Sequence, residues 1–124
     1  DGYGSATNFQ LSCSQPTGFV SDTNDCYDGN GNANPSQAGY FTSPRGDASY
    51  DYNCDTSEEQ HWTTVASSCS ILSNGSCTAT GGWSSVPACG ATGTWNENCH
   101  YSTSGNIWTW GCYYSTSSKT QECR

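Results

Sequence analysis

The chain has 124 residues and a formal net charge of −8, because eleven Asp and Glu residues outnumber three Lys and Arg residues. Nucleic acids and anionic lipids are bound through clusters of Lys and Arg, so this charge argues against both as partners and favours a cation. Only ten residues are Leu, Ile, Val or Phe, but nine Cys and sixteen aromatic residues favour a fold held by disulfides and buried rings.

The first 60 residues contain little that can be buried. Residues 1–20 carry weak apolar alternation and the turn signals DGYG and QPTG, which predict a short extended segment. Eight of the eleven acids lie between positions 22 and 59, with Arg45 as the only basic residue among them. Carboxylates brought together there repel one another unless a cation neutralises them, so we expect residues 1–60 to form an acidic, calcium-binding loop region.

The second half of the chain favours short strands separated by Gly, Ser and Asn. The candidate strands are HWTTVASSC at 61–69, GTWNENCHY at 93–101, IWTWGCYY at 107–114 and SKTQECR at 118–124. No stretch has the period of about 3.6 residues that marks an amphipathic helix. We therefore predict a small module of short antiparallel strands and irregular loop, stapled by disulfides and stabilised by calcium. Residues 61–124 form either a separate Cys- and Trp-rich β module or one domain with the acidic region.

The cysteine content indicates an oxidising compartment, so we expect the protein to be extracellular or at a cell surface. No C-x-x-C pair occurs and the two histidines stand apart, which argues against a zinc ribbon or a thioredoxin-like site. No apolar run approaches the ~20 residues that cross a bilayer, so membrane insertion is not expected. The residues assigned to disulfides are Cys13, Cys26, Cys54, Cys69, Cys77, Cys89, Cys99, Cys112 and Cys123.

The order of the cysteines predicts how they are paired. The six from Cys69 to Cys123 are expected to form three bridges, and two of the first three a fourth. Cys13 with Cys26 is the preferred pair and Cys26 with Cys54 the alternative, while pairing of Cys54 with a later cysteine stays open. One cysteine of the nine is then left to pair between chains or to remain a free thiol.

Two acidic runs place oxygen-bearing side chains at alternate positions, which is a pattern suited to calcium. The candidate ligands of the first run are Asp22, Asn24, Asp28, Asn30 and Asn32, and those of the second are Asp51, Asn53 and Asp55. If Cys26 and Cys54 are held close, both runs can face one cation or a pair of cations. An EF-hand is excluded because Ala33 and Gly39 occupy the positions of its Gly and Glu. The alternative is that these residues merely form polar turns.

Four pieces of the first half occur in a familiar order: DGYG at 1–4, CSQPTGFV at 13–20, DCYDGNGNANP at 25–35 and YDYNCDT at 50–56. This order resembles the MopE-type metal-binding motif of bacterial secreted and surface proteins, whose acidic loops are similar to thrombospondin type 3 calcium repeats. The resemblance implies a set of metal-facing residues, namely Asp25, Asp28, Asn30, Asp51, Asn53 and Asp55. It also implies that Asp1 belongs to a loop that residues before it complete.

The tryptophans of the second half carry a fainter resemblance. GGWSSVPACGATGTW, followed by Cys99, Cys112 and KTQEC, is similar to a thrombospondin type 1 repeat, in which tryptophans stack with basic side chains. Only Lys119 and Arg124 are available for such stacking, so the fold is not carried over. We expect four tryptophans to fill a small core rather than to form an exposed sugar-binding platform: Trp83, Trp95, Trp108 and Trp110.

Two short motifs remain. Asn74-Gly75-Ser76 is an N-glycosylation sequon on a predicted turn. His61 and His100 are accompanied by no nucleophile motif, and a core this small frames no cleft for a pair of catalytic carboxylates, so an enzyme is not expected.

Two functions remain for such a chain. The first is a structural subunit or repeat module of an extracellular bacterial fibre or surface protein, rigidified by calcium and disulfides and associating with copies of itself head to tail. The second is an adhesion module that binds carbohydrate or another protein through exposed aromatic residues. Tandem copies or fibres favour the first function, and affinity for glycans favours the second.

Overall fold

The computed structural model describes residues 2–103 and 111–124. Within this part of the chain the structure consists of strands and loops and contains no helix, which confirms the predicted small fold of short antiparallel strands stapled by disulfides. Calcium stabilisation remains a prediction. Asp1, Trp108 and Trp110, for which the sequence predicted roles, lie outside the described residues.

Five strands form two small sheets. In chain order they are β1 (Ser70–Ile71), β2 (Cys77–Thr78), β3 (Gly82–Trp83), β4 (Thr92–Ser102) and β5 (Gly111–Thr120). The first two form an antiparallel hairpin, and the other three form an antiparallel sheet in the order β3-β4-β5. The long β4–β5 pair is interrupted by one register shift between Asn96 and Cys99.

The predicted strands are confirmed in part. The segment 93–101 lies inside β4, and the described residues of 107–114 lie in β5 together with residues 118–120. The segment 61–69 is not a strand: Val65 alone forms a bridge, parallel to Trp83. The backbone at Gly82 has φ +154, and a Cβ there would lie 2.6 Å from the Thr64 carbonyl oxygen. This approach at a single point, rather than a regular ladder, explains why an alternating sequence remains irregular.

The chain divides into two compact units. The first comprises Asp1–His61 together with Glu122–Arg124, and the second comprises Trp62–Gln121. The sequence predicted either one continuous domain or a boundary after residue 60, one residue earlier, with the last three residues in the second half. These residues pair with the first unit through backbone hydrogen bonds: Phe41 and Cys123 exchange two, at 2.8 and 2.9 Å, and Glu59 and Arg124 exchange two more, at 2.8 and 3.1 Å.

The bridges follow the alternative pairing. Cys26 is bonded to Cys54 and Cys13 is a free, exposed thiol, so the preferred Cys13–Cys26 pair is wrong and the Cys26–Cys54 pair is confirmed. The observed bridge joins the two acidic runs, because Cys26 lies in the first and Cys54 in the second. A Cys13–Cys26 bridge would not have joined them. The later cysteines include the pairs Cys69–Cys99 and Cys77–Cys112, and Cys89 and Cys123 are also disulfide-bonded.

Two of these bridges attach the β1–β2 hairpin to one face of the β4–β5 pair. In the strand register Cys99 lies opposite Tyr114, and Tyr101 lies opposite Cys112, so all four side chains project from the same face. Cys99 and Cys112 carry the two bridges, and the Tyr114 hydroxyl group shares its proton between two backbone carbonyl oxygens of the segments that flank the hairpin, each at 2.8 Å. The two disulfides therefore hold the hairpin on the sheet, a task that a larger apolar core performs in bigger domains.

Each unit has a small aromatic core. In the second unit Trp83 is fully buried, as predicted, and Trp95 packs against it edge to face with ring centres 5.1 Å apart. The backbone carbonyl of Trp62 accepts hydrogen bonds from Trp83 Nε1 at 2.8 Å and Gln121 Nε2 at 2.9 Å. In the first unit Tyr52 is buried and stacks on Phe41, with ring centres 3.9 Å apart. Burial raises the pKa of the Tyr52 hydroxyl group above 10.0.

Candidate functional site

The acidic region is ordered mainly by side chains that accept hydrogen bonds from backbone N–H groups two residues further along the chain. The acceptors, with their distances, are Asp22 at 2.8 Å, Asp25 at 2.6 Å, Asn30 at 3.1 Å, Asp47 at 3.0 Å and Asp55 at 2.9 Å. Asp and Asn form such turns readily because their short side chains reach the following backbone. These hydrogen bonds fix the backbone conformation of a region that has almost no apolar residues.

The Cys26–Cys54 disulfide joins the two acidic runs. Asp25 is only 8% exposed, and one of its carboxylate oxygens lies within 4.8 Å of the sulfur atoms of both cysteines. The two sulfur atoms are bonded to each other, so neither offers the thiolate that metals bind. This group therefore contributes one carboxylate, not a three-ligand metal site.

Asp51 closes the loop that contains Cys54. It is 8% exposed, and its two carboxylate oxygens accept hydrogen bonds from the N–H groups of Asp55 at 3.1 Å and Thr56 at 3.2 Å. Cys54 and Thr56 have positive φ values of 58° and 72°, a conformation that side chains rarely adopt. Asp51 compensates by binding the backbone of this strained turn, a role that the sequence did not indicate.

Arg45 supplies a positive charge beside these carboxylates. Its side chain is 10% exposed, lies 3.0 Å from Asp47 and 3.8 Å from Asp51, and donates to Cys26 Sγ at 2.7 Å and to the Asp51 carbonyl group. The hydrogen bond from Arg45 is the main reason that the pKa of Asp47 lies below 3.8. Part of the charge that the sequence assigned to a cation is therefore neutralised by a guanidinium group.

A second cluster lies around Asn53. Its amide nitrogen donates to Asp55 Oδ2 at 2.9 Å and to Glu59 Oε2 at 3.4 Å, while its amide oxygen is buried and has no hydrogen-bond partner. Arg124 lies 3.3 Å from the same Glu59 oxygen. The pKa of Asp55 is lowered, chiefly by the hydrogen bond from the backbone of Ser57 and further by Glu59, Asn53 and Arg124. Two carboxylates thus meet at the Asn53 amide nitrogen, while the amide oxygen is buried without a partner.

The predicted ligands do not all share one place. Asp51, Asn53 and Asp55 lie in one loop, with Asp25 at the disulfide that closes it. Asn30 is engaged elsewhere, since its amide nitrogen donates to the Arg45 carbonyl group at 2.9 Å. Asp22 is half-buried, and Asn24 and Asp28 are exposed. Glu59 was missed, although its place at the end of the acidic run was a signal. The ligand set itself stays a prediction.

A different feature of the first unit is the segment 9–13, which belongs to no strand and forms no bridge. Phe9 is 68% exposed and Leu11 90%, and Cys13 follows at the next alternate position as an exposed free thiol. Among the described residues, no backbone hydrogen bond involves this segment. If this segment becomes extended by pairing with a sheet, its side chains at alternate positions project to the same side. The segment is a candidate strand without a sheet.

In the second unit, β5 is the long edge of the three-stranded sheet. It pairs with β4 on one side, and among the described residues no strand pairs with its other side. Three consecutive residues near its middle, Thr116, Ser117 and Ser118, are exposed. Such an edge offers unpaired N–H and carbonyl groups to another strand.

Two half-buried tryptophans of the second unit, Trp62 and Trp95, contact the charged end of Lys119. The Lys119 ammonium nitrogen lies 3.4 Å from the ring centre of Trp62 and 4.0 Å from that of Trp95. Arg124 contacts Tyr40 in the same way in the first unit, at 4.9 Å. Both basic residues that the second half of the sequence contains are therefore used for stacking on aromatic rings.

Comparisons with known proteins leave the function open. No protein-family model, no curated protein and no solved structure matches the chain. The similarity to MopE-type and thrombospondin repeats therefore remains a resemblance of short motifs. None of the described residues belongs to a helix that is long and apolar enough to cross a membrane. Disulfides in this number are typical of extracellular proteins.

Proposed function

We propose that the protein is a structural module of an extracellular fibre or cell-surface protein, stiffened by disulfides and calcium, whose copies associate head to tail. The observation that carries this proposal is that the chain contains both an unpaired segment with exposed apolar residues, 9–13, and an open sheet edge, β5. The role is structural rather than catalytic, and the disulfides support an extracellular location.

The segment at residues 9–13 has the properties of a donor strand. Its backbone is free to pair, and Phe9 and Leu11 expose apolar surface that water does not favour. Isolated exposed apolar residues are common, but two at alternate positions of an unpaired segment form the row that a strand presents to a sheet. Cys13 completes the row with an exposed thiol, which a cysteine placed on the acceptor strand can trap as a disulfide on oxidation.

The edge of β5 has the properties of an acceptor. A strand of ten residues is long enough to hold a five-residue donor, and its exposed positions are Tyr113 and three Ser and Thr residues, none of which carries a charge that would repel the incoming strand. Donor and acceptor lie in different parts of the chain, so each copy has one of each. Contacts of this heterologous kind extend into filaments unless they close into a ring.

Calcium is assigned to the cluster around Asn53. In the orientation observed, the amide oxygen is buried without a partner. A half-turn of the amide would bring this oxygen towards Asp55 and Glu59, where three oxygens repel one another unless a cation lies among them. Carboxylate and amide oxygens are the ligands that calcium prefers, so these residues would hold the ion and calcium would fix the loop. Arg124, which now pairs with Glu59, would compete with it.

The alternative function, binding of carbohydrate through tryptophans, has less support. Trp83 is fully buried, and the Lys119 ammonium group lies against both Trp62 and Trp95. Among the described residues of the second unit, the large exposed aromatic ones are Tyr101 and Tyr113, 47% and 46% exposed, and they project from opposite faces of the sheet. They do not form one platform.

Disulfide trapping tests the proposed contact. Single cysteines are placed in β5 at Thr116, Ser117 or Ser118, and at Ser85, an exposed position outside β5, as the matched control. We expect oxidation to give dimers and longer ladders from one or more β5 variants, and fewer from Ser85→Cys. Cys13→Ser in the same backgrounds should abolish the ladders. Equal crosslinking at β5 and Ser85, or ladders that persist without Cys13, would show that the contact is wrong.

A further inference from the structure

The β1–β2 hairpin ends in an exposed turn that contains the only Asn-x-Ser or Asn-x-Thr sequence with a residue other than proline in the middle. The Leu72 N–H donates to the Ser76 carbonyl oxygen at 2.7 Å, and the Gly75 N–H donates to the Leu72 carbonyl oxygen at 2.9 Å. Gly75 has φ +83, which glycine adopts without strain. The turn is thus a defined structure at the surface.

In the Asn74 side chain the amide oxygen is held by hydrogen bonds and, among the described residues, the amide nitrogen is free. Asn74 Oδ1 accepts hydrogen bonds from the Ser76 hydroxyl group at 2.6 Å and from the Ser76 N–H at 3.0 Å. Asn74 is exposed, and within the described part of the chain its Nδ2 donates no hydrogen bond. The amide nitrogen therefore faces solvent, where a large enzyme can reach it.

We propose that Asn74 is a site of N-linked glycosylation during secretion. The donor is an oligosaccharide joined to a lipid through pyrophosphate, and the enzyme is an oligosaccharyltransferase. Asn74 Nδ2 forms a bond to C1 of the first sugar while the bond between C1 and the pyrophosphate oxygen breaks. The lipid pyrophosphate leaves with the electron pair, and one Nδ2 proton passes to a base of the transferase.

The surroundings of Asn74 give the glycan a physical role. Ile71 is 58% exposed and Leu72 46% exposed, immediately before the turn. The strands of this hairpin are two residues long, so the apolar pair has little sheet to pack against. A sugar on Asn74 would cover Ile71 and Leu72 and prevent the hairpin from associating with other chains.

The chain contains its own control in Asn34-Pro35-Ser36. Asn34 Oδ1 accepts a hydrogen bond from the Ser36 N–H at 3.1 Å, as Asn74 Oδ1 does from Ser76. Two features distinguish it, because proline occupies the middle position and Asn34 Nδ2 already donates to the Gly31 carbonyl oxygen at 3.2 Å. Asn34 is therefore expected to remain unmodified.

The test uses the full chain behind a secretion signal in a eukaryotic cell that glycosylates its secreted proteins. We expect the secreted chain to carry one glycan, which peptide-N-glycosidase removes, leaving aspartate at position 74 in peptide mass spectra. A digest without the enzyme controls for spontaneous deamidation. Asn74→Gln and Ser76→Ala should each abolish the added mass, and Asn34→Gln should leave it unchanged. A secreted wild-type chain without a glycan at position 74, or a glycan that survives Asn74→Gln, would overturn the proposal.

Discussion

The Lys119 ammonium nitrogen lies 3.4 Å from the centre of the Trp62 ring. Lys119 reaches this place because it lies in β5 opposite Gly93, diagonally next to Trp95 on the same face of the sheet. Gly93 has no side chain to fill this face, and a Cβ there would lie 3.3 Å from the Trp83 ring. Lys119 thus contacts two half-buried tryptophans, Trp62 and Trp95, in a unit with few aliphatic residues.

Removal of the Lys119 charge is expected to destabilise the second unit. Lys119→Met retains much of the volume but loses the attraction to two indole rings, so we expect the free energy of unfolding to fall by about 1–2 kcal/mol. Urea unfolding followed by tryptophan fluorescence measures this change. Lys119→Arg is the matched control and should retain most of the stability. Equal stability of the methionine variant and the wild type would show that the contact contributes nothing.

Arg45 is expected to be essential for the first unit. Its side chain and that of Asp51 are 10% and 12% exposed, so Arg45→Met leaves a buried carboxylate beside the disulfide without its countercharge. Breaking a buried ion pair costs about 3 kcal/mol or more. A double-mutant cycle with Asp51→Asn, measured by urea unfolding, isolates the pair from the other contacts of Arg45. Strictly additive effects of the two substitutions would contradict an interaction between them.

Stability is expected to fall in acid through Asp47 and Asp55. The folded state lowers the pKa of both carboxyl groups below 3.8, through the Arg45 hydrogen bond for Asp47 and the Ser57 N–H for Asp55. A lowered pKa stabilises the fold above the unfolded value, and this contribution is lost as the pH falls through the folded value. Urea midpoints should therefore drop below pH 3.8. Asp47→Asn combined with Asp55→Asn should flatten that drop, and an unchanged profile would contradict the assignment.

Removal of calcium is expected to loosen the first unit. Calcium at about 100 times its dissociation constant stabilises a protein that binds it only when folded by about 2.7 kcal/mol. Thermal melts with excess chelator should therefore lie below melts in millimolar calcium. Coincident melts would show that no bound calcium contributes to stability.

Two substitutions distinguish the possible ligand sets. Asp55→Ala removes a carboxylate of the Asn53 cluster, whereas Asp28→Ala removes an exposed residue that only the sequence pattern and the MopE-type resemblance implicate. We expect the calcium-dependent shift to disappear in Asp55→Ala, and its loss in Asp28→Ala as well would support the wider set. Glu97→Gln, an exposed carboxylate of β4, controls for the loss of charge alone. A full calcium shift in Asp55→Ala would exclude the Asn53 cluster.

The sequence predicted the fold where local pattern and long-range pairing agree. The segment 93–101 pairs with β5 on both sides of the register shift between Asn96 and Cys99. The segment 61–69 has a similar composition, but its partner is the short β3 strand, whose close approach at Gly82 allows contact at one point. The length of a strand depends on its partner, and single-segment propensity contains no information about that partner.

The candidate site was predictable to a similar extent. The composition of the acidic runs indicated which oxygens were available, and Arg45 was visible as the lone basic residue among them. Its position beside Asp51 depends on the Cys26–Cys54 bridge, which connects residues 28 positions apart and was the second choice among the pairings. Turn propensity likewise gave no sign that Asp51 would bind the backbone of Asp55 and Thr56.

Sedimentation velocity in the presence of calcium tests head-to-tail association most directly. We predict species larger than the monomer whose share rises with protein concentration, and a loss of these species in Leu11→Asn, which makes the exposed row of residues 9–13 polar. A single monomeric species at high concentration would contradict head-to-tail association.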